Sequence, residues 1–395
     1  MKLKYLAIAS FALLAFSCKK DDDDNTTTSN QTNTLKAQVV ESYSELVYRT
    51  YSDAYDRAVE MEAAINAFVA NPSESTHQAA KTAWLEAREP YGLSEAFRFG
   101  EGPIDDEDGP EGLLNAWPLD ESYIDYTYAD ANSGIINDTV NYPTLDKATL
   151  ESLNEAGGET NISVGYHAVE FLLWGQDLNP NGNYDNAGQR SYTDYEVGTT
   201  ANASRRADYL VYCAEMISSH LQDLRDEWAA GESNYRAQFT SAPVDESLAK
   251  LMKGMSILSK GELAGERIYV AIANQDQEDE HSCFSDNTHR DIITNAQGIS
   301  NVFFCNYGGT TPYTGYSLHA LLTSKNATLS SETAALISGS VGLAENMHIP
   351  FDEALTNPSD RDYLLELVAN LQQQGDKLVD AGSALGISIT AELPE

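Results

Sequence analysis

Apolar residues recur every three to four positions along most of this chain, which is the periodicity of a helix that buries one face. From Leu35 to Ala70 the pattern predicts one long amphipathic helix, stopped by Asn71-Pro72. Ser73 is a capping residue for the next helix, which runs through Ala80 and Trp84 toward Phe99 and should kink at Pro90. Further helical stretches follow at 145–156, 164–174, 201–229, 245–273, 286–297, 313–324, 330–347 and 359–384. Loops rich in Gly, Pro, Asp or Asn separate them, chiefly at 100–130, 177–195, 231–244 and 274–284. Strand-like alternation is never sustained. The pattern predicts an all-α protein of helical bundles, with a boundary near Gly231 that divides residues 35–230 from 231–395.

The first residues follow another logic. Lys2 and Lys4 precede an apolar run from Tyr5 to Phe16, and Leu14-Ala-Phe-Ser-Cys18 resembles a lipobox. Residues 1–17 therefore read as an export signal, Cys18 as the lipidated residue and 18–34 as a polar, disordered tether. The run after Cys18, Lys-Lys-Asp-Asp-Asp-Asp, resembles the acidic segments of Bacteroidetes-type lipoproteins. That implies an outer-membrane lipoprotein, periplasm-facing or surface-exposed, whose only membrane contact is its lipid.

Charge narrows the partners. The formal net charge is −37, and removing Lys2 and Lys4 takes it to −39. Such a surface repels nucleic acid and anionic lipid and favours cations. Of the four cysteines, Cys18 is assigned to lipid and Cys213 to an apolar helix face. Cys283 and Cys305 remain, and export favours a disulfide between them.

The densest chemistry lies in Gly165-Tyr-His167-Ala-Val-Glu170. His167 and Glu170 share a helix face, and an imidazole beside a carboxylate can bind a metal, run acid–base chemistry or lock two elements together. Gly165 leaves room for a close approach. In the second helix, Trp84, Arg88, Tyr91, Glu95 and Arg98 form a stripe that serves either as the polar wall of a cleft, with Glu95 as ligand, or as an ion-pair ladder. Gly261 and Gly265 allow close helix approach, and Glu262 with Glu266 require a cation or an arginine nearby. The segment Glu278 to Asp291 holds many donors, including His281 and His289, and Asp286 is placed to cap a helix. Asp177, Asn179, Asn181 and Asp185 match the opening of a calcium loop, but its twelfth position is Gly188. A weak calcium site and a hydrogen-bonded polar loop both fit. No His-Glu-x-x-His, phosphate-cradling glycine loop or Gly-x-Ser-x-Gly occurs.

Taken in order, Glu95-Ala-Phe-Arg-Phe-Gly-Glu-Gly-Pro-Ile-Asp105, the Gly-x-His-x-x-Glu motif with Phe-Leu-Leu-Trp-Gly-Gln-Asp177, Gly265-Glu-Arg267 and Phe284-Ser-Asp-Asn-Thr-His289 resemble the imelysin-like family. The resemblance implies two helical bundles with the site between them, in an envelope protein tied to iron uptake or iron response. It implies a non-enzymatic binder of a metal ion or a small iron-carrying ligand, with a transport partner in the envelope. Glu95, His167 and Glu170 would form the core of the site, with Glu266 or Asp286 contributed across the cleft. Arg98, Arg267, Gly165 and His289 would surround it. Iron or another divalent or trivalent cation suits such oxygen-rich donors. The family was once classed as a metallopeptidase family, so a peptidase using the same cluster is the alternative.

Overall fold

The computed structural model describes residues 23–178 and 187–393. Cys18, the export signal and Asn179, Asn181 and Asp185 of the calcium-like loop lie outside the described residues. What is described is almost entirely helical. The sole sheet among these residues pairs β1 (Asn306–Tyr307) with β2 (Tyr313–Thr314) in a small antiparallel hairpin.

Helix α1 (Asp23–Ala70) begins well before Leu35, within the stretch predicted to be a disordered tether. Its inward face carries Val39, Tyr43, Leu46, Val47, Tyr51, Ala54, Ala58, Met61, Ile65 and Phe68, all buried at helical spacing. Each large side chain among them contributes roughly 1.5–3 kcal/mol of hydrophobic stabilisation. The start of the helix is anchored where Lys36 bonds Asp245 Oδ1 at 2.6 Å and the Leu385 carbonyl at 2.8 Å.

Helix α2 (Glu74–Ser94) opens with the predicted Ser73 cap, a reciprocal box with Thr76. It ends at Ser94, and Glu95–Phe97 tighten into a 3-10 turn. Short helices α3 (Glu111–Leu114), α4 (Glu121–Ile124) and α5 (Lys147–Leu153) lead to α6 (Tyr166–Trp174), which is buried on every side. Asp125 ties the loop after α4 to the core: Arg206 grips it with two bonds, of 2.6 and 2.9 Å, and Arg190 adds a third at 2.6 Å. Helix α7 (Ala203–Glu227) packs on α1, followed by α8 (Tyr235–Ser241) inside the predicted 231–244 connection.

The helix predicted over 245–273 is three pieces. Helix α9 (Val244–Ile257) passes into a π-helix (Leu258–Tyr269) and then α10 (Val270–Asn274). The π register joins residues five apart, which an α-helix would rotate by about 140° from one another. Arg267 Nε thus reaches Glu262 Oε1 at 3.1 Å. Close helix approach falls at Gly375, where an added Cβ would lie 2.6 Å from Lys260 Cβ, rather than at Gly265.

Helix α11 (Thr288–Phe304) packs against α2 and, with α12 (Leu318–Lys325), against α13 (Ala327–Glu345). Helix α14 (Phe351–Thr356) escaped the periodicity because it is short, and α15 (Pro358–Ala384) closes the fold over the π-helix. Gly231 lies in the turn between α7 and α8. The buried side chains nevertheless form one cluster on both sides of it, because α1 touches α7 and α9 alike.

The expected disulfide is absent, since Cys213, Cys283 and Cys305 are all free. Cys283 precedes α11 and Cys305 follows its last residue. A helix of that length holds its ends about 25 Å apart, against the roughly 7 Å a disulfide tolerates. Unfolded, unreduced protein should therefore titrate Cys213, Cys283 and Cys305 as three thiols beyond any contribution of Cys18; a single thiol would restore the bridge.

Candidate functional site

Two buried imidazoles, each braced by a carboxylate, meet at the centre of the molecule. Gly165 starts α6 with φ at 91°, and a Cβ there would lie 2.7 Å from the Leu114 carbonyl oxygen. What approaches Gly165 is thus the backbone of α3, and only glycine permits both the turn and the contact. Trp84 fixes the same turn, its Nε1 donating to the Tyr166 carbonyl at 2.9 Å. Helix α6 then brings His167 Nδ1 to 2.9 Å from Glu170 Oε2. The other Glu170 oxygen accepts from Ser285, from N–H at 3.0 Å and from Oγ at 2.7 Å.

The second imidazole comes from the acidic turn. His281 stands edge-on to His167, with ring centroids 4.7 Å apart. Its Nδ1 pairs with Asp291 Oδ2 at 2.8 Å, and Ser282 Oγ donates to the same oxygen. Arg88 donates to the other Asp291 oxygen from Nη2 at 2.9 Å and to Asn115 Oδ1 from Nη1 at 2.6 Å. Asn115 Nδ2 reaches toward His281 Nε2 and toward Glu95 Oε1, each at 3.4 Å. Glu95 Oε2 accepts from Arg267 at 2.6 Å and Arg98 at 2.9 Å, and Arg267 also donates to Asn295 at 2.6 Å. The stripe that begins on α2 is thus an ion-pair ladder, and of its members only Arg98 lines the adjoining cavity.

Burial and these partners set the charges. Burial drives His167 well below its usual range, helped by His281 and Arg88, so the ring is neutral. Burial and Arg267 bring His281 down to about 4, against the pull of Asp291. Burial pushes the Glu170 carboxyl up to about 8, although the Ser285 bonds oppose it. Burial would also raise Glu95, but Arg267 and Arg98 prevail and hold it at about 2. His167 Nε2 is buried and has no partner. That is uncommon for a buried polar atom.

A polar cavity of about 380 Å³ opens beside this network, lined among others by Arg98, Trp117, Arg267 and His281. Five glutamates on its wall, Glu111, Glu155, Glu159, Glu262 and Glu266, outnumber its two arginines. The lining therefore carries net negative charge and suits a cation or a cation-bearing ligand.

The expected ligand set divides. His167 and Glu170 meet as read. Glu95 is saturated by arginines, so it holds the network instead of offering a ligand atom to the cavity. Glu262 is likewise answered by arginine, from Arg267 at 3.0 Å and Arg98 at 3.6 Å. Glu266 is exposed at the cavity wall. Asp286 does not cap α11; its φ is 56°, Asn287 takes the cap position, and the Asp286 carboxylate joins Asp177 and Asp352 instead. His289 donates from Nδ1 to the Asp286 carbonyl at 3.0 Å, away from the cavity. Gly188, at the twelfth position of the calcium-like loop, packs where a Cβ would lie 2.5 Å from the Gly175 carbonyl oxygen, so no acidic side chain fits there.

Residues 47–378 match the imelysin family. The chain belongs to that family. It is 23% identical over 277 residues to iron-regulated protein A of Synechococcus elongatus, a match covering 67% of this chain and 64% of that relative's length, so less than two thirds of it. The fold is similar to that of an iron-regulated protein A precursor from Parabacteroides distasonis, with a TM-score of 0.68, 20% identity and coverage of 88% of this chain and 95% of that one. It is also similar to an imelysin-like protein from Psychrobacter arcticum 273-4, with a TM-score of 0.64, 14% identity and coverage of 91% and 97%.

In this imelysin, Asn115, Trp117, Ser285 and Asp291 went unnamed as site residues on the sequence. Each sits in a loop or at a helix start, where periodicity is silent. The one signal was the run of donors from Glu278 to Asp291.

Glu95 has a folded pKa below the ordinary carboxylate value, so its stabilisation is present above about 4.5 and is lost as pH falls toward about 2. Glu95→Gln takes the shared anion from two buried guanidinium groups, which keep Glu262 and, for Arg98, Glu111 as counter-ions, and should cost about 3 kcal/mol near pH 7. Denaturant unfolding of both proteins should show that deficit narrowing between pH 5 and pH 3, the acid arm being the part that wild type alone loses. A pH-independent deficit would assign Glu95 a packing role only.

Proposed function

We propose that this imelysin is a binding protein that captures iron or an iron-carrying ligand in the acidic cavity beside His281, with His167 as the terminal donor. The observation that carries the reading is the buried, unpartnered Nε2 of His167, whose ring stands against His281, a residue on the wall of a predominantly acidic cavity. The name of the Synechococcus relative, iron-regulated protein A, supports iron as the cargo.

The Glu170–His167 pair would act as a proton-coupled donor. With Glu170 neutral, its O–H donates to Nδ1 and Nε2 carries hydrogen. A cation at Nε2 displaces that hydrogen, the Glu170 proton moves to Nδ1, and one proton leaves the pair. Glu170 is then an orienting partner and not a second ligand, the usual arrangement around metal-bound histidines. Binding is favoured over zinc peptidase chemistry because a catalytic zinc needs about three protein ligands. Among the described residues the only group of three or more metal-ligating side chains is the set of aspartates, and it contains neither histidine.

We further propose that the chain acts in the cell envelope, held by lipid at Cys18. The lipobox-like sequence supports the anchor, and no helix among the described residues is long and apolar enough to cross a membrane. Cys18→Ser should move the protein from the membrane fraction to the soluble fraction; unchanged fractionation would remove the anchor.

Iron affinity should rise about tenfold per pH unit below pH 8, since one proton is released from a group with pKa near 8. Calorimetric titration with ferrous iron under argon, or with ferric citrate, in buffers of different ionisation enthalpy measures both quantities. His167→Ala should abolish binding while far-ultraviolet circular dichroism is retained. Undiminished uptake by a folded His167→Ala protein would refute the site.

A further inference from the structure

A larger cavity, of about 620 Å³, lies between α1, α2, α11, α13 and the loop after β1. It shares no lining residue with the cavity at His281. Pro90, Leu93 and Ile293 give it an apolar side. Its charges do not cancel. The carboxylates of Asp53, Glu86, Glu89 and Glu345 share the lining with only two guanidinium groups, and both of those are engaged. Arg57 bonds Glu60 at 2.6 Å and Glu86 at 3.3 Å, and Arg290 grips Glu89 with two bonds, of 2.7 and 2.6 Å.

Asp53 decides what this cavity can hold. It is 8% exposed, and no ion pair reaches it among the described residues. Its Oδ2 accepts from the Tyr307 hydroxyl and from the Thr310 N–H, each at 2.7 Å. Those bonds latch the loop after β1, and only glycine fits at 309, because an added Cβ would collide with Asp53 Oδ2 and the Tyr307 hydroxyl. The latch uses one oxygen. Oδ1 takes no hydrogen bond and is not sealed from solvent, so it opens to the cavity that Asp53 lines. A carboxylate this buried, with an open oxygen and no counter-ion, is costly to hold unless a cation comes to it.

We propose that this cavity binds a small organic cation, a primary ammonium group carried on an apolar body. The ammonium donates to Asp53 Oδ1, and the body lies against Pro90, Leu93 and Ile293. The volume falls within the roughly 300–1,000 Å³ usual for small-molecule sites. An organic cation is favoured over a metal ion, because Asp53 belongs to no group of three or more metal-ligating side chains among the described residues. An ammonium needs only acceptors for its N–H groups, and one charged acceptor with an apolar surface beside it supplies both halves of such a ligand. The site is independent of the iron reading, since the two cavities have no residue in common.

Phenethylammonium chloride titrated into the full chain at low salt tests this, by calorimetry and by ligand-observed magnetic resonance. One saturable site per chain is expected. Phenethyltrimethylammonium, with the same charge and no N–H, should bind about tenfold more weakly, and 3-phenylpropionate should not bind. Asp53→Asn keeps an acceptor for Tyr307 and Thr310 but removes the charge, so it should fold as wild type does and weaken the amine about tenfold or more. Gln297→Lys brings an ammonium of the chain's own into the cavity and should weaken the amine likewise; it serves if Asp53→Asn does not fold. The proposal is overturned if wild type shows no saturable binding up to on the order of 10 mM amine, where affinity is negligible. It is equally overturned if the trimethyl compound binds as tightly as the amine. Undiminished binding by a folded Asp53→Asn or Gln297→Lys protein would place the amine elsewhere, the acidic cavity at His281 included, and would overturn it too.

Discussion

The molecule turns on a chain of buried charge that runs from Arg267 through Glu95 and Asn115 to Arg88 and Asp291. Removing these groups from water is costly, and only short, well-directed hydrogen bonds offset the cost. Arg267 contributes from the π-helix, Arg88 and Glu95 from α2 and its last turn, Asp291 from α11 and Asn115 from the loop after α3. A shift of one helix relative to another would leave an ion uncompensated. The network therefore sets the mutual placement of these elements more stringently than apolar packing does, since apolar side chains tolerate small slides.

That placement determines the electrostatics around the two histidines. Positive charge from Arg88 and Arg267 reinforces burial in keeping both rings neutral. Glu170 lacks such a partner at close range and rises, whereas Glu95 with two arginines falls. Two glutamates within one network thus have pKa values several units apart. One is a permanent anion that holds structure, and the other is poised to exchange a proton near neutral pH. This division of labour separates the groups that build the site from those suited to act in it.

The turn from Glu280 to Asp291 links two polar regions of different character. Asp291 bonds His281 and Ser285 bonds the Glu170 partner of His167, while the Asp286 carboxylate meets the aspartates after α6 and in α14. Alternate side chains of one short segment serve opposite sides, which a regular helix could not arrange. Within this segment Asp286 has a positive φ of 56°.

Periodicity along the chain was enough to establish the all-α class, the long helices α1, α2, α7 and α15, and the meeting of His167 with Glu170. These rest on residues a few positions apart, where helix geometry alone fixes the spacing. The π-helix was illegible because Gly261, Gly265 and their neighbours are compatible with either register until α15 packs against them. The disulfide failed because spacing in sequence says nothing of a rigid helix between two cysteines. Glu95 was recognised as important, but its role was set by Arg267, 172 residues away. The partners of Glu280, Asp286 and Asp291 lie on other elements, so no local pattern could assign them. Local geometry decides which residues share a helix face; what that face meets, and whether a carboxylate there is an anion, an acid or a ligand, depends on distant residues that only the folded chain brings into contact.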